Sequence, residues 1–149
     1  MSNGKPELIA IDHDDYHAEH IGLTPTGHQF FLTNPFEPAM PNKAGCEYIA
    51  LFLFDSEGNL VDSDIETLGA RGSYSEEAAT QKYYDKLRGL GDVTFQRIEV
   101  KPFSVGHNGT NIGLIIREPE EDCDVWAVEL LPGNYMAFFE PWDSGYYDT

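Results

Sequence analysis

Histidine and carboxylate side chains concentrate near the N-terminus of this sequence. Four of the five histidines lie between positions 13 and 28: His13, His17, His20 and His28, with Asp12, Asp14, Asp15 and Glu19 among them. Imidazole and carboxylate groups are the ligands of zinc and related divalent metals. A helix would place His13 and His17 on one face with His20 one turn further along, whereas a strand would turn His20 away. The four histidines are therefore predicted metal ligands.

The spacing of these histidines matches no metalloenzyme pattern such as HExxH. A polar strand that enters a hairpin can carry histidine and aspartate without binding anything. A metal-binding protein, or a hydrolase whose metal polarises a water molecule, is therefore an alternative hypothesis. We expect no cofactor other than that divalent metal.

Other candidate catalytic groups are less specific. The pairs Asp62/Asp64 and Asp143/Asp148 could act as acid and base, but 26 acidic residues produce such pairs by chance. Cys46 begins an apolar run, where cysteine behaves as a small hydrophobic residue, and there is no GxSxG motif. None of these groups identifies an enzyme.

The charge balance restricts the classes of partner. There are 26 acidic residues against 9 Lys and Arg, a formal net charge of -17. Such an excess repels nucleic acids and anionic membranes and attracts basic surfaces. We therefore expect neither direct nucleic-acid binding nor membrane association.

Acidic side chains crowd one loop, and aromatic side chains crowd the C-terminus. The predicted partner-binding residues are Glu118, Glu120, Glu121, Asp122, Asp124, Trp142, Asp143, Tyr146 and Tyr147. They favour a protein-interaction domain that binds a basic partner, as an immunity-type inhibitor or a nucleic-acid mimic does. Alternatively, the charge serves solubility only and the terminal aromatic rings fold back over a sheet. A third hypothesis is a pocket for a small apolar ligand, lined by aromatic residues.

Local patterns predict the elements that position these residues. Residues 16–22 and 28–33 flank a turn-forming Thr-Pro-Thr-Gly and predict a hairpin. The apolar run 46–54 predicts a central strand covered on both faces. Alternation over 61–66 predicts a half-buried strand whose acidic residues, Asp62, Asp64 and Glu66, face solvent.

The second half of the chain begins with a helix. Ser73 and Glu76 have capping-box spacing, and apolar residues recur at helical intervals up to Leu90, so a helix is predicted over about 75–88. Strands are then predicted over 93–105, 111–117, 125–131 and 134–140, in consecutive hairpins. The buried face changes parity within 93–105, which predicts a bulge near Gln96 or Arg97.

These elements define the predicted fold class. It is α+β: one domain, 1–149, with about eight mainly antiparallel strands in hairpins and one central helix packed on the sheet.

Two segments carry a resemblance. HIGLTPTGHQFF and PGNYMAFFEPWDSGYYDT resemble segments of uncharacterised bacterial proteins of similar size, which implies a bacterial, cytosolic origin and no particular activity. The sequence also has no apolar run of roughly 20 residues and no secretory-signal pattern at its start. We expect a cytoplasmic protein.

Overall fold

The structure, a computed structural model, describes residues 7–13, 19–38, 40–42, 44–70, 72–107, 109–120, 125–132, 136–138, 142 and 145–147. Within these residues the chain forms thirteen strands, arranged in three antiparallel sheets, and one helix. In chain order they are β1 (Ile9–Ile11), β2 (Ile21–Leu23), β3 (Gln29–Thr33), β4 (Phe36–Glu37), β5 (Cys46–Phe54), β6 (Leu60–Gly69), α1 (Glu76–Arg88), β7 (Thr94–Phe95), β8 (Ile98–Val100), β9 (Phe103–His107), β10 (Thr110–Arg117), β11 (Ala127–Leu131), β12 (Met136–Phe138) and β13 (Gly145–Tyr147).

The largest sheet has six strands, with β5 at its centre. β6 pairs with one edge of β5, whereas β3 and then β4 pair with its other edge. β2 pairs with β3, which confirms the predicted hairpin, and β7 completes the sheet beside β2.

The smaller sheets explain why there are more strands than the eight predicted. The region 93–105 contains three strands: β7 joins the six-stranded sheet, β8 pairs with β1, and β9 begins a five-stranded meander of β9 to β13. Gln96 and Arg97 therefore connect two sheets, and the predicted bulge at that point is wrong. The parity of the buried residues changes because the chain changes sheets, not because a residue is inserted.

Two apolar clusters cover the two faces of the six-stranded sheet. On one face, Phe31, Phe52 and Phe54 pack against residues of the five-stranded sheet, including Phe138. Burial of each such ring contributes about 1.5–3 kcal/mol. On the other face, Phe30, Leu32, Ile49 and Leu51 pack against α1 and the segment that follows it. The protein thus has three layers, and the prediction that β5 is covered on both faces is confirmed.

The helix lies where the sequence predicts it, but its cap differs. Ser75, not Ser73, is the N-cap, because its side chain accepts a hydrogen bond from the Ala78 N–H. Ser73 instead donates to the Ala70 carbonyl.

None of the described helices is long and apolar enough to cross a membrane.

Candidate functional site

His20 occupies a buried position where β2, β3 and α1 meet. The Leu32 N–H donates to the His20 carbonyl at 3.0 Å, which fixes the backbone of His20 beside β3. The His20 side chain reaches α1, where its Nδ1 lies 2.5 Å from the Tyr83 hydroxyl oxygen. Its Nε2 lies 3.2 Å from Oε1 of Glu19. A carboxylate, an imidazole and a phenol are thus connected in series.

The protonation of His20 follows from its burial. Desolvation lowers the pKa of His20, the Glu19 carboxylate partly opposes this, and His13 adds to the lowering. A neutral imidazole has one N–H. Donation from Nε2 to Glu19 leaves Nδ1 to accept from the Tyr83 hydroxyl, and both groups are then satisfied.

A second acceptor lies within reach of the Tyr83 hydroxyl. The Leu32 carbonyl oxygen is 3.3 Å from it. When His20 is protonated, Nδ1 becomes a donor and the Tyr83 O–H can rotate to this carbonyl. The series Glu19, His20 and Tyr83 can therefore hold an additional proton on His20 without leaving a buried polar group unpaired. The order carboxylate, imidazole, hydroxyl is also that of an activated nucleophile.

Two exposed aromatic rings lie beside the His20 imidazole. The ring centroids of Tyr84 and Phe95 each lie 5.7 Å from that of His20. His13 stacks on Phe95 at 5.7 Å and hydrogen-bonds to the Glu19 carbonyl at 2.9 Å. Tyr84 is 39% exposed, Phe95 is 46% exposed, and the Glu19 side chain is 49% exposed. We call these five residues the His20 patch.

A close backbone approach places Phe95 in the patch. Gly22 in β2 pairs with Phe95 in β7. A Cβ on Gly22 would lie 1.9 Å from the Thr94 carbonyl oxygen, so any other residue would push β7 away. The sequence contains this glycine inside a predicted strand, but it does not indicate which segment lies against it.

The predicted metal ligands are only partly brought together. His13 and His20 lie in the patch, but His28 lies at the other end of the hairpin, bonded to the Thr26 hydroxyl at 3.1 Å. Leu32 lies beside His20, and the four residue steps from His28 to Leu32 span about 13 Å at roughly 3.3 Å per step. His17 lies outside the described residues. In the part of the chain that the structure describes, no three His, Cys, Asp or Glu residues are grouped so as to hold a metal ion. A site that uses all four histidines stays a prediction.

The predicted partner-binding residues are distributed over several places. Glu118 and Glu120 are exposed after β10. Trp142 is half-buried against the core between the sheets, and its carbonyl accepts from the Ala10 N–H at 2.8 Å. The backbone of Tyr146 and Tyr147 pairs with β12. Glu121, Asp122, Asp124 and Asp143 lie outside the described residues.

The acidic side chains of β6 reach solvent as predicted, since Asp62 and Asp64 are exposed and Glu66 is half-buried, but two of them are also paired with α1. Asp64 and Glu66 lie on the face that α1 covers, opposite Leu51 and Ile49 of β5. Nζ of Lys86 lies 2.9 Å from Oδ2 of Asp64 and 3.5 Å from Oε1 of Glu66. Nζ of Lys82 lies 2.9 Å from Oε2 of Glu66. The hydrogen bond from Lys82 lowers the pKa of Glu66. A cleft of about 460 Å³ lies between helix and sheet here, and these paired charges line it together with Leu51, Asp85, Gly89 and Leu90.

A second polar cluster, not indicated by the sequence, joins the two large sheets. Oε1 of Glu37 accepts from the Tyr48 hydroxyl at 3.2 Å and from the Thr110 hydroxyl at 2.6 Å. His107, whose ring meets that of Tyr48, lies 2.7 Å from the Thr67 hydroxyl oxygen. Burial raises the pKa of Tyr48 to about 12. These hydrogen bonds satisfy one another across the sheets, which indicates a structural role.

No protein-family model, curated protein or solved structure matches this chain. The resemblance to uncharacterised bacterial proteins stays a prediction.

Proposed function

We propose that the protein is a non-enzymatic interaction domain that binds a basic protein partner through the His20 patch. One observation carries this proposal: on a molecule of net charge -17, two exposed aromatic rings lie against the imidazole of His20, which also contacts a half-exposed carboxylate. Tyrosine is among the residue types enriched in energetically dominant contacts, and complementary charge beside such a contact favours a specific partner.

The patch suits a lysine or arginine side chain of the partner. A cation over the face of Phe95 or Tyr84 gains roughly 0.5–1 kcal/mol at an exposed site. The half-exposed Glu19 carboxylate offers an ion pair within the same patch. The lowered pKa of His20 keeps its imidazole neutral at pH 7, so it does not repel the incoming cation.

The remaining charge of the protein acts at longer range. Exposed carboxylates such as Glu118 and Glu120 add to a negative potential that accelerates encounter with a basic surface. Asp64 and Glu66 contribute less, because Lys82 and Lys86 neutralise them. The partner class that we propose is a basic toxin, inhibited as by an immunity protein, or a nucleic-acid-binding protein whose ligand this domain imitates. We place this interaction in the cytoplasm.

Titration with two soluble peptides tests the proposal. The probes are a glycine-lysine repeat and a glycine-glutamate repeat of equal length. Their binding is measured through the amide chemical shifts of the protein at low salt. We expect the lysine peptide to shift the signals of Glu19, Tyr84 and Phe95, and the glutamate peptide to leave them unchanged. Phe95→Ala should weaken lysine-peptide binding about three- to tenfold, which corresponds to roughly 0.6–1.4 kcal/mol.

A matched control separates the patch from general exposure of apolar residues. Met40 is another exposed apolar side chain, outside the patch. Met40→Ala should bind the lysine peptide as the wild type does. Equal affinity of Phe95→Ala and wild type, or equal shifts with both peptides, would contradict the proposal.

The metal-binding hypothesis is tested with the same protein. Stoichiometric zinc that is lost in a His13→Ala, His20→Ala double variant would favour a metal protein or a metal-dependent hydrolase, and would replace the interaction proposal.

A further inference from the structure

β6 forms one edge of the six-stranded sheet. It is ten residues long, and among the described residues its only strand partner is β5. An open edge presents unpaired N–H and C=O groups that can pair with an added strand. Proteins commonly keep edge strands short or cover them, and a ten-residue edge is long by that standard.

Hydrogen bonding across the sheet identifies the groups that face outward. In an antiparallel sheet, the N–H and C=O of one residue point to the same neighbouring strand, and those of the next residue point to the other. The Leu32 N–H donates to the His20 carbonyl on the β2 side of β3. The peptide groups of Phe31 therefore point to β5.

The residue pairing carries this alternation across β5 to β6. Phe31 lies opposite Phe52, so Phe52 points to β3 and Leu51 points to β6. Leu51 lies opposite Asp64, so the N–H and C=O of Asp64 point to β5. Those of Ser63 consequently point to the open side, and so do those of Ile65.

The Asp62 side chain accepts a hydrogen bond from one of these outward N–H groups. The Ser63 N–H donates to Oδ1 of Asp62 at 2.8 Å, a bond within β6 and not across the sheet. This contact agrees with the outward direction of Ser63. It also places an exposed carboxylate at the position where the carbonyl of an added strand would bind.

Charge determines which strand could be added. A second copy of β6, paired antiparallel, would bring the acidic residues of both copies together, and like charges across a strand pair are destabilising. Val61, beside Asp62, is 50% exposed and offers an apolar contact. A segment of alternating basic and apolar residues is complementary to both features.

We propose that β6 is a docking edge for an extended basic segment of a partner protein, which pairs with Ser63 and Ile65 as an additional strand. In the complex a carbonyl of the partner accepts from the Ser63 N–H. The displaced Asp62 carboxylate then pairs with a lysine or arginine of the added strand.

This edge is separate from the His20 patch. β7 and β6 lie at opposite edges of the sheet, four strand spacings or about 19 Å apart. The inference therefore does not depend on the proposed function. Phe95→Ala should leave binding at β6 intact, so the two proposals can fail separately.

Amide hydrogen exchange with a strand-forming peptide tests the docking edge. The probe is an acetylated peptide of alternating lysine and valine, and the control replaces lysine with glutamate. We expect the lysine-valine peptide to slow exchange of the Ser63 and Ile65 N–H groups at least tenfold, and the control peptide to leave it unchanged. Unchanged exchange at low salt, or equal slowing by both peptides, would overturn the proposal.

Two variants at one position isolate the backbone contribution. Ser63→Pro removes an outward N–H and no hydrogen bond to β5, so an edge strand tolerates it. It should weaken peptide binding at least tenfold, whereas Ser63→Ala, which keeps the N–H, should bind as the wild type does. Equal binding by the two variants would argue against strand addition.

A charge reversal provides an independent measurement should Ser63→Pro fail to fold. Asp62 is exposed, so Asp62→Lys leaves the packing of β6 intact. This variant should lose the lysine-valine peptide and gain the glutamate-valine peptide. Unaltered preference would exclude a role for charge at this edge and overturn the choice of a basic partner.

Discussion

At the scale of single residues, the histidine-rich segment is used differently from the metal site that its composition predicts. His20 is buried and makes hydrogen bonds to Glu19 and Tyr83, and His13 stacks on Phe95. Both ring nitrogens of His20 are thereby occupied by groups of the protein. The two residues that satisfy His20 come from the preceding position and from a helix 63 residues later, so only the first contact is visible in the sequence.

Burial of His20 makes the stability of the protein depend on pH. The pKa of His20 is lowered from 6.5 in the folded protein, chiefly by desolvation, so the unfolded chain binds a proton more readily. The contribution of neutral His20 is therefore complete above pH 6.5 and is lost as the pH falls through the lowered pKa. The groups that face it are Glu19, His13, Tyr83 and Tyr84.

Urea unfolding at several pH values below 7 measures this dependence. The free energy of unfolding of the wild type should decrease as the pH falls, and His20→Gln, which cannot titrate, should show a smaller decrease. His28→Gln removes a histidine outside the patch and should keep the wild-type slope. An identical slope in His20→Gln and wild type would show that His20 does not carry the effect.

At the scale of elements, the helix is held against the sheet partly by ion pairs. No residue of α1 is fully buried, and its apolar contacts come from half-buried Tyr83 and Leu87. Lys86 is buried to a much greater extent than Lys82: their side chains are 12% and 52% exposed. Lys86 lies between Asp64 and Glu66, and it is the main positive charge that separates them.

Replacement of the two lysines should therefore have unequal effects. Lys86→Met keeps the apolar stem of the side chain but leaves Asp64 and Glu66 without their buried counter-charge, which should cost about 1–3 kcal/mol of unfolding free energy. Lys82→Met removes an exposed ion pair and should cost less than about 1 kcal/mol. Chemical denaturation of both variants at pH 7 provides the comparison. Equal losses would mean that burial of Lys86 has no energetic importance.

The sequence predicts elements whose signals are local. The helix over 76–88 follows from apolar spacing and terminal charges, and β5 follows from one apolar run. Strand alternation correctly groups Asp64 with Glu66 on one face, but it cannot indicate that a helix will cover that face. The sequence does not predict the His20 patch as a unit, because the patch requires β7 to pair with β2, some 70 residues away. Position along the chain does not encode that pairing.

At the scale of the whole molecule, electrostatic repulsion opposes the compact state. The 26 acidic residues exceed the 9 basic ones, and two of the basic residues, Lys82 and Lys86, are already engaged in the ion pairs described above. Two unit charges 10 Å apart in water interact by about 0.4 kcal/mol, and many such pairs are like-charged here. Repulsion summed over the surface should therefore outweigh the attraction of the exposed pairs.

Added salt should accordingly stabilise the protein. The Debye length falls from about 30 Å at 0.01 M to about 8 Å at 0.15 M ionic strength, so repulsion across the molecule is largely screened at the higher value. We expect the unfolding free energy to rise by on the order of 1 kcal/mol over this range, since several pairs of about 0.4 kcal/mol are screened together. Unfolding by urea measures this rise, because urea is uncharged and does not itself change the ionic strength.

Sodium chloride and potassium chloride should act equally at equal ionic strength, because screening does not depend on the identity of the cation. A fall in stability with salt would mean that the local ion pairs outweigh the net charge, whereas a difference between the two cations would indicate a specific cation site.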